Sequence, residues 1–322
     1  MVTSSARRVV AALERHQIAW YLGAIAVGLA AGLLVPAASR LGVAITPVLG
    51  LLLFATFLGV PFGSVLRAFR DGRFLAAVVA LNFVVVPVVA FVLSRVVADD
   101  PALAFGVLLV LLAPCVDYVI VFSGLAGGAS ARLLAATVPL MLAQILLLPV
   151  LLRLLLGAEA VSAVEVGPFA EAFLLLIVLP LAAAAATQAL AARSVAGRRV
   201  ESAMQGLMVP LMVATLVTVV ASQAGAVGGA LPRLGVLVLL YSGFVVVMTV
   251  IGGVAGRVAR LDVPGRRALL FSGVTRNSLV VLPLALALPP ALALVPVVVV
   301  TQTLVELVAM VVLVRVVPRL VR

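Results

Sequence analysis

Stretches of about twenty apolar residues follow one another along nearly the whole chain, separated by short connections that carry arginine. A bilayer core of roughly 30 Å takes about 20 such residues as one helix, because in lipid each backbone polar group must be satisfied within its own segment. Hydropathy and turn signals place spans near 17–36, 43–64, 74–97, 102–128, 132–157, 169–190, 203–223, 235–258, 267–288 and 291–314. The first is too long for the apolar core of a secretory signal, roughly 7 to 15 residues, and reads as a span. No connection has room for a soluble domain. Composition agrees, since 66% of the residues are hydrophobic and 10% charged, against about 25% charged in an ordinary soluble domain.

The net charge of +11 comes from arginine alone, as the chain has no lysine. These residues punctuate apolar segments instead of lining one face, which argues against nucleic acid and for topology signals. With the N-terminus inside, the inner connections hold Arg7, Arg8, Arg15, Arg67, Arg70, Arg73, Arg132, Arg193, Arg198, Arg199, Arg257, Arg260, Arg266, Arg267, Arg315, Arg319 and Arg322. The outer ones hold Arg40, Arg95, Arg153 and Arg233, beside Asp99, Asp100, Glu159, Glu165 and Glu171. Ten spans in the cell membrane with both termini cytoplasmic satisfy this bias.

Several chemistries drop out. Cys115 and His16 are the only residues of their kinds, so no intramolecular disulfide and no His/Cys metal cluster can form, and no cofactor is implied. No G-x-x-x-x-G-K-[ST], G-x-S-x-G or H-E-x-x-H motif occurs, so the chain reads as no enzyme, and any pumping draws on a gradient or a partner ATPase.

Ten spans divide into halves of five, and an odd count forces the second half to enter the membrane inverted, an arrangement common in secondary carriers. Repeat one runs over about 17–158 and repeat two over about 168–317 of a single transporter domain. A weak echo between Leu142-Ala143-Gln144-Ile145-Leu146 and Val300-Thr301-Gln302-Thr303-Leu304 fits this.

Carrier sites sit where matching helices are interrupted, and spans four and nine are. Span four carries Leu111-Leu112-Ala113-Pro114-Cys115-Val116-Asp117-Tyr118, and Pro114 breaks the helical ladder there. Gly124, Gly127 and Gly128 end the half-helix that follows or form a small-residue packing contact. Span nine carries the polar island Ser272-Gly273-Val274-Thr275-Arg276-Asn277-Ser278. An ionised Asp or Arg at mid-membrane costs at least ~2.5 kcal/mol, so Asp117 and Arg276 either pair as a static lock or serve substrate or ion. Glu306, with Gln302 four residues earlier on the same face, is a proton-carrying or gating carboxylate or a hydrogen-bonded packing group. Cys115 is a ligand or a small buried hydrophobe. Asn82, Gln144, Thr301 and Gln302 either line a cavity or join helices.

Ala113-Pro114-Cys115 in a broken fourth span, with Glu306 in the tenth, resembles the arsenite efflux permeases, within the bile acid/sodium symporter superfamily. The resemblance implies an all-α membrane fold with spans 1, 2, 6 and 7 as a panel, spans 3–5 and 8–10 as a core, and broken spans four and nine crossing in that core. It implies a cysteine at Cys115 tied to arsenite and export driven by a proton gradient; arsenic(III) is thiophilic, which suits a thiolate. The chain departs from these permeases after Asn277, where Ser278-Leu279 stands in place of a segment ending in a carboxylate, leaving Glu306 or Asp117 to take that part. The first expectation is therefore proton-coupled efflux of arsenite or a related metalloid, with Cys115, Asp117, Thr275, Arg276 and Asn277 at the substrate and Glu306, Gln302, Gln144 and Asn82 coupling or gating. The second is a sodium- or proton-coupled carrier of organic anions, with Arg276 and positive half-helix ends facing the anion. A binding-only sensor or assembly subunit is the third, and the absence of an output domain weighs against it.

Overall fold

The computed structural model describes residue 13 and residues 16–59, 71–116, 118–157, 171, 174–227 and 231–322. Its helices in chain order are α1 (Gln17–Leu34), α2 (Gly42–Leu58), α3 (Gly72–Ala80), α4 (Val86–Ser94), α5 (Pro101–Leu111), α6 (Tyr118–Leu125) and α7 (Ser130–Leu156). They continue as α8 (Leu179–Ala191), α9 (Val195–Gly206), α10 (Met208–Val227), α11 (Leu231–Val258), α12 (Val263–Val274), α13 (Ser278–Leu286) and α14 (Val295–Leu320). No β-strand occurs among the described residues, and the chain is an all-α membrane protein.

Each of the ten apolar segments expected from hydropathy contains helix. Gly72–Val97, Ser130–Leu156, Arg233–Val258 and Pro290–Leu320 are each long and apolar enough to cross a bilayer alone. Three of the remaining segments fall short for identifiable reasons. Spans four and nine are each cut in two, giving α5 with α6 and α12 with α13, while the expected extension of α2 to residue 64 lies outside the described residues. One connection differs from expectation: 191–202 holds most of α9, which meets the start of α10 at a 48° bend. Polar Arg198, Arg199 and Glu201 hid this helix from a hydropathy reading.

Two π-helical turns were also invisible in the sequence, Leu81–Val85 and Leu174–Val178. Each ends two residues before a proline, Pro87 and Pro180. A proline ring clashes with the carbonyl four residues back in a regular helix, and one wider turn relieves that clash.

By contact the chain separates into two compact units, Met1–Gly59 with Ala170–Ala230, and Val60–Phe169 with Leu231–Arg322. In the first, α10 packs on α1 and α2, and α8 on α2. Gln188 Nε2 donates to Leu58 O at 2.9 Å and Arg198 Nη1 to Ala191 O at 3.1 Å, satisfying carbonyls at two helix C-termini. Gly197 lets α9 fold back, since a Cβ there would lie 2.5 Å from the Ala191 backbone nitrogen.

In the second unit, α11 packs on α12 and α14, and α14 on α5 and α13. Asp71 caps α3 through Phe74 N at 3.2 Å, and Asp100 caps α5 through Ala102 N and Leu103 N at 3.1 and 3.2 Å; such caps contribute about 1 kcal/mol each. Arg132 bridges Asp71 and Asp262, while Arg267 reaches Ala126 O, Pro318 O and Val321 O, tying the end of α6 to the end of α14. Gly127, at φ 68°, turns the chain out of α6 as the glycine cluster predicted. Apolar side chains such as Val43, Leu154, Leu239 and Val258 stand exposed on helix faces, which suits lipid and would be an aggregation liability in water.

Candidate functional site

Both interruptions lie in the second unit, and they meet. After α5 ends at Leu111 the chain runs without helix through Ala113, Pro114, Cys115 and Val116; after α12 ends at Val274, Thr275, Arg276 and Asn277 do the same. The two stretches pair antiparallel through a Pro114–Arg276 bridge, with Asn277 N donating to Ala113 O at 2.8 Å. Pro114, having no N–H, could not have continued α5's ladder. Four helix ends are thereby exposed in a dry place, the C-termini of α5 and α12 and the N-termini of α6 and α13. A helix end leaves four backbone groups without an intrahelical partner.

The C-terminal carbonyls are met by one side chain. Arg276 is fully buried. Its Nη1 donates to Leu111 O at 3.2 Å, and its Nη2 to Ser272 O at 2.6 Å, Gly273 O at 2.9 Å and Asn82 Oδ1 at 2.9 Å. The Phe244 ring of α11 lies 5.7 Å from Arg276 Cζ, a cation–π distance. Each helix C-terminus presents about half a negative elementary charge, so the two together offset most of one guanidinium charge. That compensation lowers the cost of burying the arginine.

Asn82 sits in the first π turn, and its Nδ2 donates to Val78 O at 3.0 Å and Ser272 Oγ at 2.9 Å. Those bonds aim its Oδ1 at Arg276. On α14, Glu306 Oε2 accepts from the backbone N of Arg276 at 2.8 Å and from Gln302 Nε2. The carboxylate therefore holds the second break in its extended form.

At the start of α13 the situation is reversed. Asn277 is the N-cap, its Oδ1 accepting from Val280 N at 3.4 Å. Its Nδ2 and the Ser278 Oγ have no hydrogen-bond partner among the described residues, although both residues are 1% exposed. Gln302 Oε1 and Gln144 Oε1 share that condition on α14 and α7.

Of the expected site residues, the structure gathers Asn82, Pro114, Cys115, Thr275, Arg276, Asn277, Gln302 and Glu306 around the crossing. Cys115 is buried in the first break. Thr275 Oγ1 donates to Phe271 O of its own helix at 2.7 Å and so caps α12. Asp117 lies outside the described residues, and with it the expected Asp117–Arg276 pair. Gln144 is buried on α7 with no hydrogen bond to these groups among the described residues. Leu111, Ser272, Gly273 and Phe244 were missed as partners of Arg276. The first three act through backbone carbonyls that no side-chain pattern announces, and Phe244 is one aromatic residue in a uniformly apolar helix. Ser278 was visible as part of the polar island, but only as a missing carboxylate.

The family model described as the sodium bile acid symporter family matches residues 46–230, more than half of the chain, including the first break. No curated protein matches the chain. With an all-α membrane fold and two interrupted helices crossing in one unit, the chain belongs to the sodium bile acid symporter family, whose members are transporters.

Proposed function

We propose that the chain is a secondary carrier of a small organic anion, bound at the crossing by the first turn of α13. The observation that carries this reading is the pair of buried donors there, Asn277 Nδ2 and Ser278 Oγ, that have no hydrogen-bond partner among the described residues. They stand at a helix N-terminus, where free N–H groups and the dipole favour negative charge. Buried polar groups without partners are rare enough to need a reason, and a carboxylate or sulfonate that comes and goes is a good one. Arg276 enters this reading differently from the expectation. Its Nη1 and Nη2 donate to carbonyls at helix C-termini and to Asn82 Oδ1, so in this reading the anion is met by N-termini and amide or hydroxyl donors.

The carrier sits in the cell membrane with both termini cytoplasmic and draws on an ion gradient. Glu306, hydrogen-bonded to the Arg276 backbone N–H, is the carboxylate through which a proton could act on the crossing. The reading is tested by uptake of labelled short-chain carboxylates and sulfonates into vesicles. Losing one hydrogen bond to a charged ligand costs about 1.5–3 kcal/mol, so Ser278→Ala weakens apparent affinity about ten- to a hundredfold. Asn277→Asp, which keeps the cap and loses the donor, does the same or worse. Wild-type behaviour from both variants would refute the site.

Efflux of arsenite or a related metalloid is the second reading, favoured by the position of Cys115, the chain's one thiol, in the first break. In everted vesicles it requires arsenite accumulation that Cys115→Ser abolishes and Ser278→Ala spares. The anion reading expects no arsenite accumulation, and anion uptake that Cys115→Ser spares and Ser278→Ala weakens.

A further inference from the structure

We propose that Arg276 is a tethered cation: its guanidinium fills an oxygen cradle suited to a monovalent metal ion, so that this carrier works without sodium. The proposal rests on reading the chain as a carrier that operates at this crossing, and it concerns the coupling ion, not the anion.

The acceptors around the guanidinium include Leu111 O, Ser272 O, Gly273 O and Asn82 Oδ1, three backbone carbonyls and one amide oxygen. Three of them converge on a single atom, Arg276 Nη2, at 2.6–2.9 Å. Neutral oxygens converging on one point are the donor set of a hard cation. In carriers built from broken helices, unwound carbonyls and half-helix C-termini are the groups that coordinate the coupling cation. The family description that matches this chain names sodium, yet a sodium ion does not fit this cradle. The oxygens that would ligate it are already bonded to a positive group occupying the point on which they converge, and the Phe244 ring stands against the same guanidinium.

The surroundings hold Arg276 where it is. Asn82 is oriented by two bonds of its own, to Val78 O and Ser272 Oγ. Gly273 permits the close approach of α12 to the π turn, since a Cβ there would lie 2.8 Å from Leu81 Cδ2. The Arg276 backbone is pinned by Glu306 on one side and by the Pro114 bridge on the other. A permanently charged group so held supplies on every cycle the positive charge that a soluble ion would have to bring and release.

The experiment is thermal unfolding of the purified full-length protein in detergent, with sodium chloride titrated against choline chloride at constant ionic strength. Wild type melts at the same temperature throughout. Arg276→Ala opens the cradle, melts lower in choline, and gains a saturable, sodium-specific rise of roughly 3 °C or more. Arg276→Lys keeps a tethered cation and shows no sodium-specific rise. Saturable stabilisation of wild type by sodium overturns the proposal. So does an Arg276→Ala protein that folds and ignores sodium, and so does one that folds in neither salt, since sodium would then not replace the guanidinium. Because the titration reads sodium alone, its outcome is independent of whether Ser278→Ala impairs anion transport.

Discussion

Arg276 in the second break and Ser278 just after it are both buried and polar, yet their hydrogen bonding differs. Arg276 satisfies three backbone carbonyls and an amide oxygen, and its own N–H is satisfied by Glu306. Ser278 Oγ satisfies nothing among the described residues. A buried group left without its partner costs about 1–3 kcal/mol, whereas deleting a group that had no partner is nearly neutral. Ser278→Ala therefore melts no lower than wild type in detergent while transport falls. Glu306→Ala, which strands the Arg276 N–H and Gln302 Nε2, lowers stability by about 2 kcal/mol or more. A Ser278→Ala protein as unstable as Glu306→Ala would make Ser278 a structural residue.

Helices pack in this protein through small residues that let backbones approach, and adjacent glycines on α11 show how specific the need is. A Cβ on Gly252 would lie 2.9 Å from Leu270 Cα, a backbone atom of α12, while one on Gly253 meets nothing within 4 Å. Gly252→Ala must push α11 and α12 apart and destabilises by about 1–3 kcal/mol; Gly253→Ala is neutral or stabilises by up to ~1 kcal/mol through helix propensity. Equal melting temperatures for the two variants would contradict this packing. The same elements mark what was legible beforehand. Pro114 and the island from Ser272 to Ser278 stand out of hydrocarbon-like sequence, so both breaks could be read. Their meeting was expected from a candidate Asp117–Arg276 pair and from a family resemblance, but the contact between Ala113 and Asn277 is made by backbone atoms, which no side-chain pattern announces. Asn82 was a visible oddity, but the residue it serves, Arg276, lies in a break far along the chain. The π turns and α9 were not legible: the former depend on how a proline is accommodated, the latter on an amphipathic pattern too polar to register as a span.

At the scale of the whole chain, the arginine bias is the feature expected to set orientation, with the C-terminus cytoplasmic. A fluorescent protein fused after Arg322 is expected to glow and a periplasm-activated phosphatase at the same point to stay silent; the reverse result would invert the topology. Orientation in turn decides which bath each face of the crossing sees. Here the solitary sulfhydryl acquires an unexpected use. Cys115 is 1% exposed at the meeting of the two breaks, and no other residue of the chain can compete for a maleimide at neutral pH. The native protein is thus its own stopwatch: the rate at which an impermeant maleimide, added from one bath or the other, marks this sulphur measures how often the crossing opens and to which compartment, without a single engineered residue.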